Sequence, residues 1–237
     1  MMRFTQSALV SVCFLSSLGC TNLVLQRAMQ APASQTSQPQ VSTEEPKVVA
    51  FLGDSLTAGP GLSMKETFPA VIQQKIGGRQ MAWTVQNSGV SGDTSALASA
   101  RMNWVLKSKP KVLVVALGSN DGLRGLAVEE MERNLRSIVS RAQAQGIKVL
   151  LVGQQLPMNF PEDYRSKFAG VFPRVAREHR IPLVPFMLEG VALDERFVLE
   201  DGIHPNADGA KRIAENVWTV LQPLLRQASK SSSMSVR

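Results

Sequence analysis

The chain has 237 residues, 44% of them hydrophobic and 19% charged, which is enough apolar length for a sizeable core and excludes wholesale disorder. Its two cysteines, Cys13 and Cys20, both lie near the N-terminus and its two histidines are His179 and His204, so the body has no disulfide framework, cysteine nucleophile or cysteine zinc site. The formal charge of +7 invites a nucleic-acid reading, but residues 47–228 hold 22 basic and 17 acidic side chains. The densest basic stretches, Arg101 to Lys111 and Arg165 to Arg180, read as solvated helix faces, so no nucleic-acid partner is expected.

In chain order, Arg3 precedes an apolar run from Ala8 to Leu18 and then Gly19-Cys20, so residues 1–20 read as an export signal. A small residue before a cysteine after an apolar run resembles the lipobox of bacterial lipoproteins, although Ser17 and Leu18 stand in the reverse of the usual order. Cys20 is therefore a candidate lipidation site, and an ordinary cleaved signal or an uncleaved apolar anchor fits the same residues. Residues 21–46, dominated from Gln30 by Gln, Ser, Thr, Ala and Pro, cannot offset their ordering entropy and are expected to form a flexible tether. Export to the periplasm or cell envelope follows, with membrane attachment through Cys20 as one outcome.

The body, 47–228, alternates strand and helix. Buried-strand runs are predicted at 47–52, 81–86, 111–117, 147–152 and 181–184. Helical periodicity is predicted over 63–76, 94–107, 128–145, 162–180 and from about 207 to 225, with Ser63 and Glu66 at capping-box spacing and Gly77 and Gly146 at helix C-termini. Pro173 and Pro223 predict kinks. Continuous apolar strands separated by helices imply an α/β three-layer sandwich, a five-stranded parallel sheet with helices on both faces. Residues 229–237 read as a disordered tail.

In such a fold the chemistry belongs in the loops at the carboxyl ends of strands. Four segments fall there: Gly53-Asp54-Ser55-Leu56-Thr57-Ala58-Gly59, Asn87-Ser88-Gly89-Val90-Ser91-Gly92-Asp93-Thr94, Gly118-Ser119-Asn120-Asp121 and Asp201-Gly202-Ile203-His204-Pro205. A Gly-Asp-Ser turn alone is weak evidence, because those residues make ordinary turns. The four segments in this order resemble the SGNH family of GDSL-type serine esterases, over about 47–227. Ser91 to Ser95, Asn120 to Gly125 and Asp201 to Asn206 look most like its thioesterase and lysophospholipase members, with Ser119 standing where those carry a glycine. The resemblance implies the flavodoxin-like SGNH hydrolase fold.

The residues carry the same chemistry in their own right. A serine hydroxyl needs a base to act as a nucleophile; His204 is the better candidate, since His179 closes a basic helix where a surface role is expected. Asp201, three residues earlier, can accept the imidazole Nδ1 hydrogen and fix the tautomer. Alone, that pair reads equally as a loop aspartate and a helix-capping histidine; beside the serine motif it completes Ser55, Asp201 and His204 as the catalytic set. The N–H groups of Ser55 and Gly92 and the side-chain amide of Asn120 are the candidate oxyanion donors. Asp54 and Asp121 read as structural, and Trp83, Trp104 and Trp218 as core or groove packing.

The apolar loop from Gln155 to Pro161 offers Leu156, Pro157, Met158 and Phe160 as acyl-groove residues, with packing against the core as the rival explanation. The expected activity is hydrolysis of acyl esters and thioesters, of lysophospholipase, acyl-thioesterase or arylesterase type, by a monomer needing no metal or other cofactor. The alternatives are a carbohydrate O-deacetylase of the same fold and a non-catalytic envelope lipoprotein that binds lipid or glycan.

Overall fold

The computed structural model describes residues 46–233. The export segment with Cys20, the tether as far as residue 45 and residues 234–237 lie outside the described residues.

Five strands, β1 (Lys47–Gly53), β2 (Trp83–Gly89), β3 (Val112–Ala116), β4 (Lys148–Val152) and β5 (Leu183–Val184), form one sheet in the order β2-β1-β3-β4-β5. Every pairing is parallel, with Phe51 opposite Asn87 on one side and Val114 on the other. The helices are α1 (Ser55–Ala58), α2 (Phe68–Gly77), α3 (Ser95–Ala100), α4 (Met102–Leu106), α5 (Ser119–Leu123), α6 (Val128–Gln143), α7 (Glu162–His179) and α8 (Ala207–Ser233).

The apolar strand runs divide by parity. Val49, Phe51, Val112, Val114, Leu150 and Val152 pack with α2 and α8 on one face, while Ala50, Leu52, Leu113, Val115 and Leu151 pack with α3, α4, α6 and α7 on the other. Successive strand side chains point to opposite faces, so a strand covered on both must be apolar at every position, which is the pattern the sequence carries. Phe51 meets Phe68 edge-to-face at 5.6 Å, and Phe168 meets Phe172 in the same way across the sheet. Complete burial of such a ring contributes about 1.5–3 kcal/mol.

Several boundaries differ from the sequence expectation. The second helix begins at Phe68, after the Thr67 N-cap, because Ser63 and Glu66 close a separate turn in which the Ser63 N–H and hydroxyl donate to Glu66 Oε2 at 3.0 and 2.6 Å. Strand β2 runs to Gly89, absorbing Asn87 to Gly89, which the sequence suggested as loop. The segment 94–107 is two short helices that break at Arg101 (φ −90°, ψ 4°), where the side chain turns back to the sheet edge. Pro173 and Pro223 lie inside α7 and α8, where the sequence placed them. The last helix also runs beyond 228, where a disordered tail was expected, and Ser229 Oγ accepts the indole hydrogen of buried Trp83 at 3.1 Å. Trp218 is buried as expected, but Trp104 is 57% exposed and belongs to no core. Among the described residues no helix is long and apolar enough to cross a membrane.

Candidate active site

From β1 the chain passes outward to β2 and then back across to β3, so the strand order reverses between β1 and β3. That reversal opens a crevice at the carboxyl ends of these two strands. Ser55 is the first residue of α1, one residue beyond the end of β1, and Asn120 follows β3 in α5. Asp54 caps α1, with Oδ1 accepting the Leu56 N–H at 3.0 Å. The short α1 lies against the end of β2. A Cβ at Gly89 would stand 2.4 Å from the Ala58 nitrogen, so only glycine allows this approach.

Ser55 and His204 meet there. The loop before α8 is drawn in by an isolated bridge between Val198 and Pro205 and by the Leu199 N–H donating to His204 O at 2.7 Å. Asn206 closes it, with Oδ1 accepting from the N–H groups of Asp208 and Gly209, both at 3.0 Å, at the start of α8. Asp201 folds back as its spacing predicts: Oδ1 accepts the N–H groups of Ile203 and His204, each at 2.9 Å, and Oδ2 lies 2.7 Å from His204 Nδ1. The other ring nitrogen, Nε2, is 3.0 Å from Ser55 Oγ. The His204 hydrogen bonds hold the Asp201 carboxyl down at about 2, so it is an acceptor at any working pH. An acceptor at Nδ1 requires the proton there, leaving Nε2 as the lone pair that faces the Ser55 hydroxyl.

The oxyanion candidates follow the carboxyl ends of three strands, Ser55 after β1, Gly92 after β2 and Asn120 after β3. Gly92 holds φ +83°, a left-handed conformation that glycine adopts at little cost, and its carbonyl accepts from Arg124 Nη2 at 2.8 Å. Asn120 uses one amide hydrogen to hold the Asp93 carbonyl at 3.0 Å, so its amide plane is fixed while its second hydrogen stays available. Ser55, as the first residue of α1, has an N–H without an intrahelical partner.

Both aspartates read as structural are buried. Asp121 accepts the Ser95 N–H at 2.8 Å and the Ser95 hydroxyl at 2.6 Å, tying α5 to α3. Asp54 is fully buried, and burial pushes its carboxyl up to about 6 against the pull of the Leu56 N–H and the neighbouring Ser119 hydroxyl. Ser119 is near enough to act on that carboxyl, yet Asp54 Oδ2 and Ser119 Oγ both lack a partner in hydrogen-bonding geometry.

Other positions depart from the sequence reading. Leu156, grouped with the acyl-groove residues, is buried at 8% exposure in the core cluster that contains Phe168, and a Cβ on Gly122 would press on both side chains. Pro157 and Met158 are exposed and Phe160 is half-buried beside Tyr164, with ring centroids 6.2 Å apart. His179 is in the last turn of α7, where Nδ1 approaches Gln143 Oε1 at 3.2 Å, far from this chemistry in role. Arg101, read as part of a solvated basic face, instead pairs with Asp93 at 2.6 Å with only 20% of its side chain exposed. Its spacing carries no signal of this, since the partner is fixed by the loop's fold.

A serine hydroxyl facing an imidazole that a carboxylate orients, set at the switch point of a parallel α/β sheet, is the arrangement of a serine ester hydrolase. Comparison narrows this: residues 51–212 match the GDSL-like lipase/acylhydrolase family, to which the chain belongs. It is 39% identical to esterase TesA of Pseudomonas aeruginosa over 87% of this chain and 96% of that protein. It is 38% identical to thioesterase 1/protease 1/lysophospholipase L1 of Escherichia coli K12 over 76% of this chain and 85% of that one. A crystal structure of TesA superposes with a TM-score of 0.73 at 40% identity, covering 75% of this chain and 99% of its own.

Proposed function

We propose that the protein hydrolyses medium- or long-chain acyl esters and thioesters, lysophospholipids among them, through an acyl-enzyme on Ser55. The observation that carries this reading is the continuous relay from Asp201 Oδ2 to His204 Nδ1 at 2.7 Å and from His204 Nε2 to Ser55 Oγ at 3.0 Å. His204 takes the Ser55 proton as Oγ attacks the carbonyl carbon, and Asp201 stabilises the imidazolium that forms. The Ser55 and Gly92 N–H groups and the second Asn120 amide hydrogen receive the developing oxyanion. His204 then protonates the departing alkoxide or thiolate, and water, deprotonated by the same imidazole, releases the acid.

Exposed apolar residues at the carboxyl side of the sheet favour an acyl chain over an acetylated sugar. Leu123, Leu126 and Met158 all keep more than two-fifths of their surface in solvent, and with Pro157 and Phe160 they stand on the segments that follow the carboxyl ends of β3 and β4. The similarity to an E. coli thioesterase and lysophospholipase supports the same substrate class. For the remaining chain we read an N-terminal export signal and tether, an envelope location and a monomeric hydrolase domain, with Cys20 as the point of lipid attachment.

Fluorophosphonate labelling of the full chain with an acyl-length series tests this. One adduct per chain is expected on Ser55, lost in Ser55→Ala with unchanged far-UV circular dichroism, and octanoyl esters should be cleaved faster than acetyl esters. Labelling that survives in Ser55→Ala removes the nucleophile assignment. An unchanged chain-length preference in Met158→Ser with Phe160→Ser removes those residues from the acyl contact.

A further inference from the structure

The side chain of Arg101 reaches two of the loops that form the crevice. Its Nε donates to Asp93 Oδ2 at 2.6 Å and its Nη2 to the carbonyl of Gly53 at 3.1 Å. Gly53 ends β1 two residues before Ser55, and its carbonyl also accepts the Val90 N–H at 3.0 Å. Asp93 directly follows Gly92, and its own carbonyl accepts the Asn120 amide at 3.0 Å. One guanidinium therefore connects the nucleophile loop after β1, the Gly92 loop after β2 and, through Asp93, the Asn120 turn after β3.

We infer that Arg101 is a positioning residue that holds the three oxyanion donors in register with one another. This rests on the proposed assignment of Ser55, Gly92 and Asn120 as those donors. Each donor comes from a different strand end, so nothing in the local sequence of any one of them sets their mutual distance. A planar guanidinium with several fixed donors can bind a carboxylate and a carbonyl at once, whereas an ammonium presents one point charge. Asp93 is 8% exposed at its side chain and Arg101 20%, so the pair is shielded from water and its geometry is correspondingly stiff. Its effect passes through Asp93 and Gly53, the two groups it holds.

The bracket acts on the transition state, because the oxyanion exists there and not in bound substrate. A displacement of the donors by an ångström costs up to about 10²-fold. The test compares Arg101→Met, Arg101→Lys, Asn120→Ala and Arg101→Met with Asn120→Ala, each with kcat expressed per site labelled to completion by fluorophosphonate, so that misfolded protein does not count. Arg101→Met is expected to lower kcat about 10- to 100-fold with KM within about twofold, and Arg101→Lys to recover only part of this. In the Arg101→Met background the Asn120→Ala loss should shrink to less than about fivefold, since a donor already out of place has less to lose. A merely structural arginine would change the labelled fraction and leave the two losses additive.

Should Arg101→Met give no labelled protein, the same comparison is read in the Arg101→Lys background. The inference falls if kcat per labelled site stays within about threefold of the parent in both arginine variants, or if the Asn120→Ala loss keeps its full size beside either. An Asn120→Ala variant with unaltered kcat in the parent background removes the oxyanion assignment itself, and the bracket with it. A full Asn120 effect beside a silent Arg101 removes the bracket alone.

Discussion

His204 Nε2 stands 3.0 Å from Ser55 Oγ although 149 positions separate the two residues. The contact is made by two loops held independently, one by the end of β1 and the other by the Val198–Pro205 bridge and the Asn206 cap. Because each loop keeps its own hydrogen bonds, His204→Ala should leave the fold intact while removing the base. The rate of fluorophosphonate adduct formation at pH 7.5 is expected to fall by at least about 10³-fold. A loss below tenfold would mean that another group accepts the proton.

Asp201→Asn keeps an oxygen for the Ile203 and His204 N–H groups but places an amide donor or a weaker acceptor opposite His204 Nδ1. A donor there forces the proton onto Nε2, the wrong nitrogen for accepting from Ser55. Turnover of a p-nitrophenyl ester should fall by about 10³- to 10⁴-fold with KM little changed. Since the carboxyl is held down at about 2 by its bonds to His204, Asp201 remains ionised from pH 4 upward.

Asn120→Ala removes an amide whose plane is set by the bond to Asp93 O. By the usual worth of one oxyanion donor, kcat should drop about 10²- to 10³-fold. Steady-state kinetics on butanoyl and octanoyl thioesters provide the check, and equal losses on both are expected because the oxyanion is common to them.

Asp54 carries a pH signature in stability. Burial raises its carboxyl from an ordinary 3.8 to about 6, so between these values the folded protein binds a proton that the unfolded chain has released. Its contribution is therefore fully present below about pH 4 and is lost as pH rises through 6. Asp54→Asn preserves an acceptor for the Leu56 N–H and abolishes the titration. Relative to this variant, the parent should lose on the order of 2–3 kcal/mol between pH 4 and 7. Urea midpoints at each pH measure it, and parallel curves for the two proteins would show an ordinary carboxyl.

Gly89→Ala tests the approach of α1 to β2. The added methyl would lie 2.4 Å from Ala58 N and 2.7 Å from the Thr57 carbonyl carbon, and backbone atoms cannot rotate aside. Overpacking of this kind costs about 1–3 kcal/mol, and here the element displaced carries Ser55. Thermal melting should shift downward, and kcat per labelled site should fall as well; a melting shift with unaltered kcat would place the accommodation in β2 instead of α1.

Much of this was legible in the residues themselves. The parity-blind apolar runs at Val49–Leu52 and Val112–Ala116 required a sheet buried on both faces, and a chain that alternates such runs with amphipathic helices has few other ways to cover them. Asp201 and His204 lie three residues apart, so their pairing is a local matter, as is the turn at Gly53-Asp54-Ser55. What only tertiary structure decided are the relations between segments: that Leu156 packs in the core cluster that holds Phe168 while Met158 is exposed, and that Arg101 joins Asp93 to Gly53. Periodicity and spacing report on neighbours along the chain. A charge drawn inward by a loop from another strand has no such period, and an arginine on a predicted solvent face is indistinguishable from one that braces a site until the loops that it joins are in place.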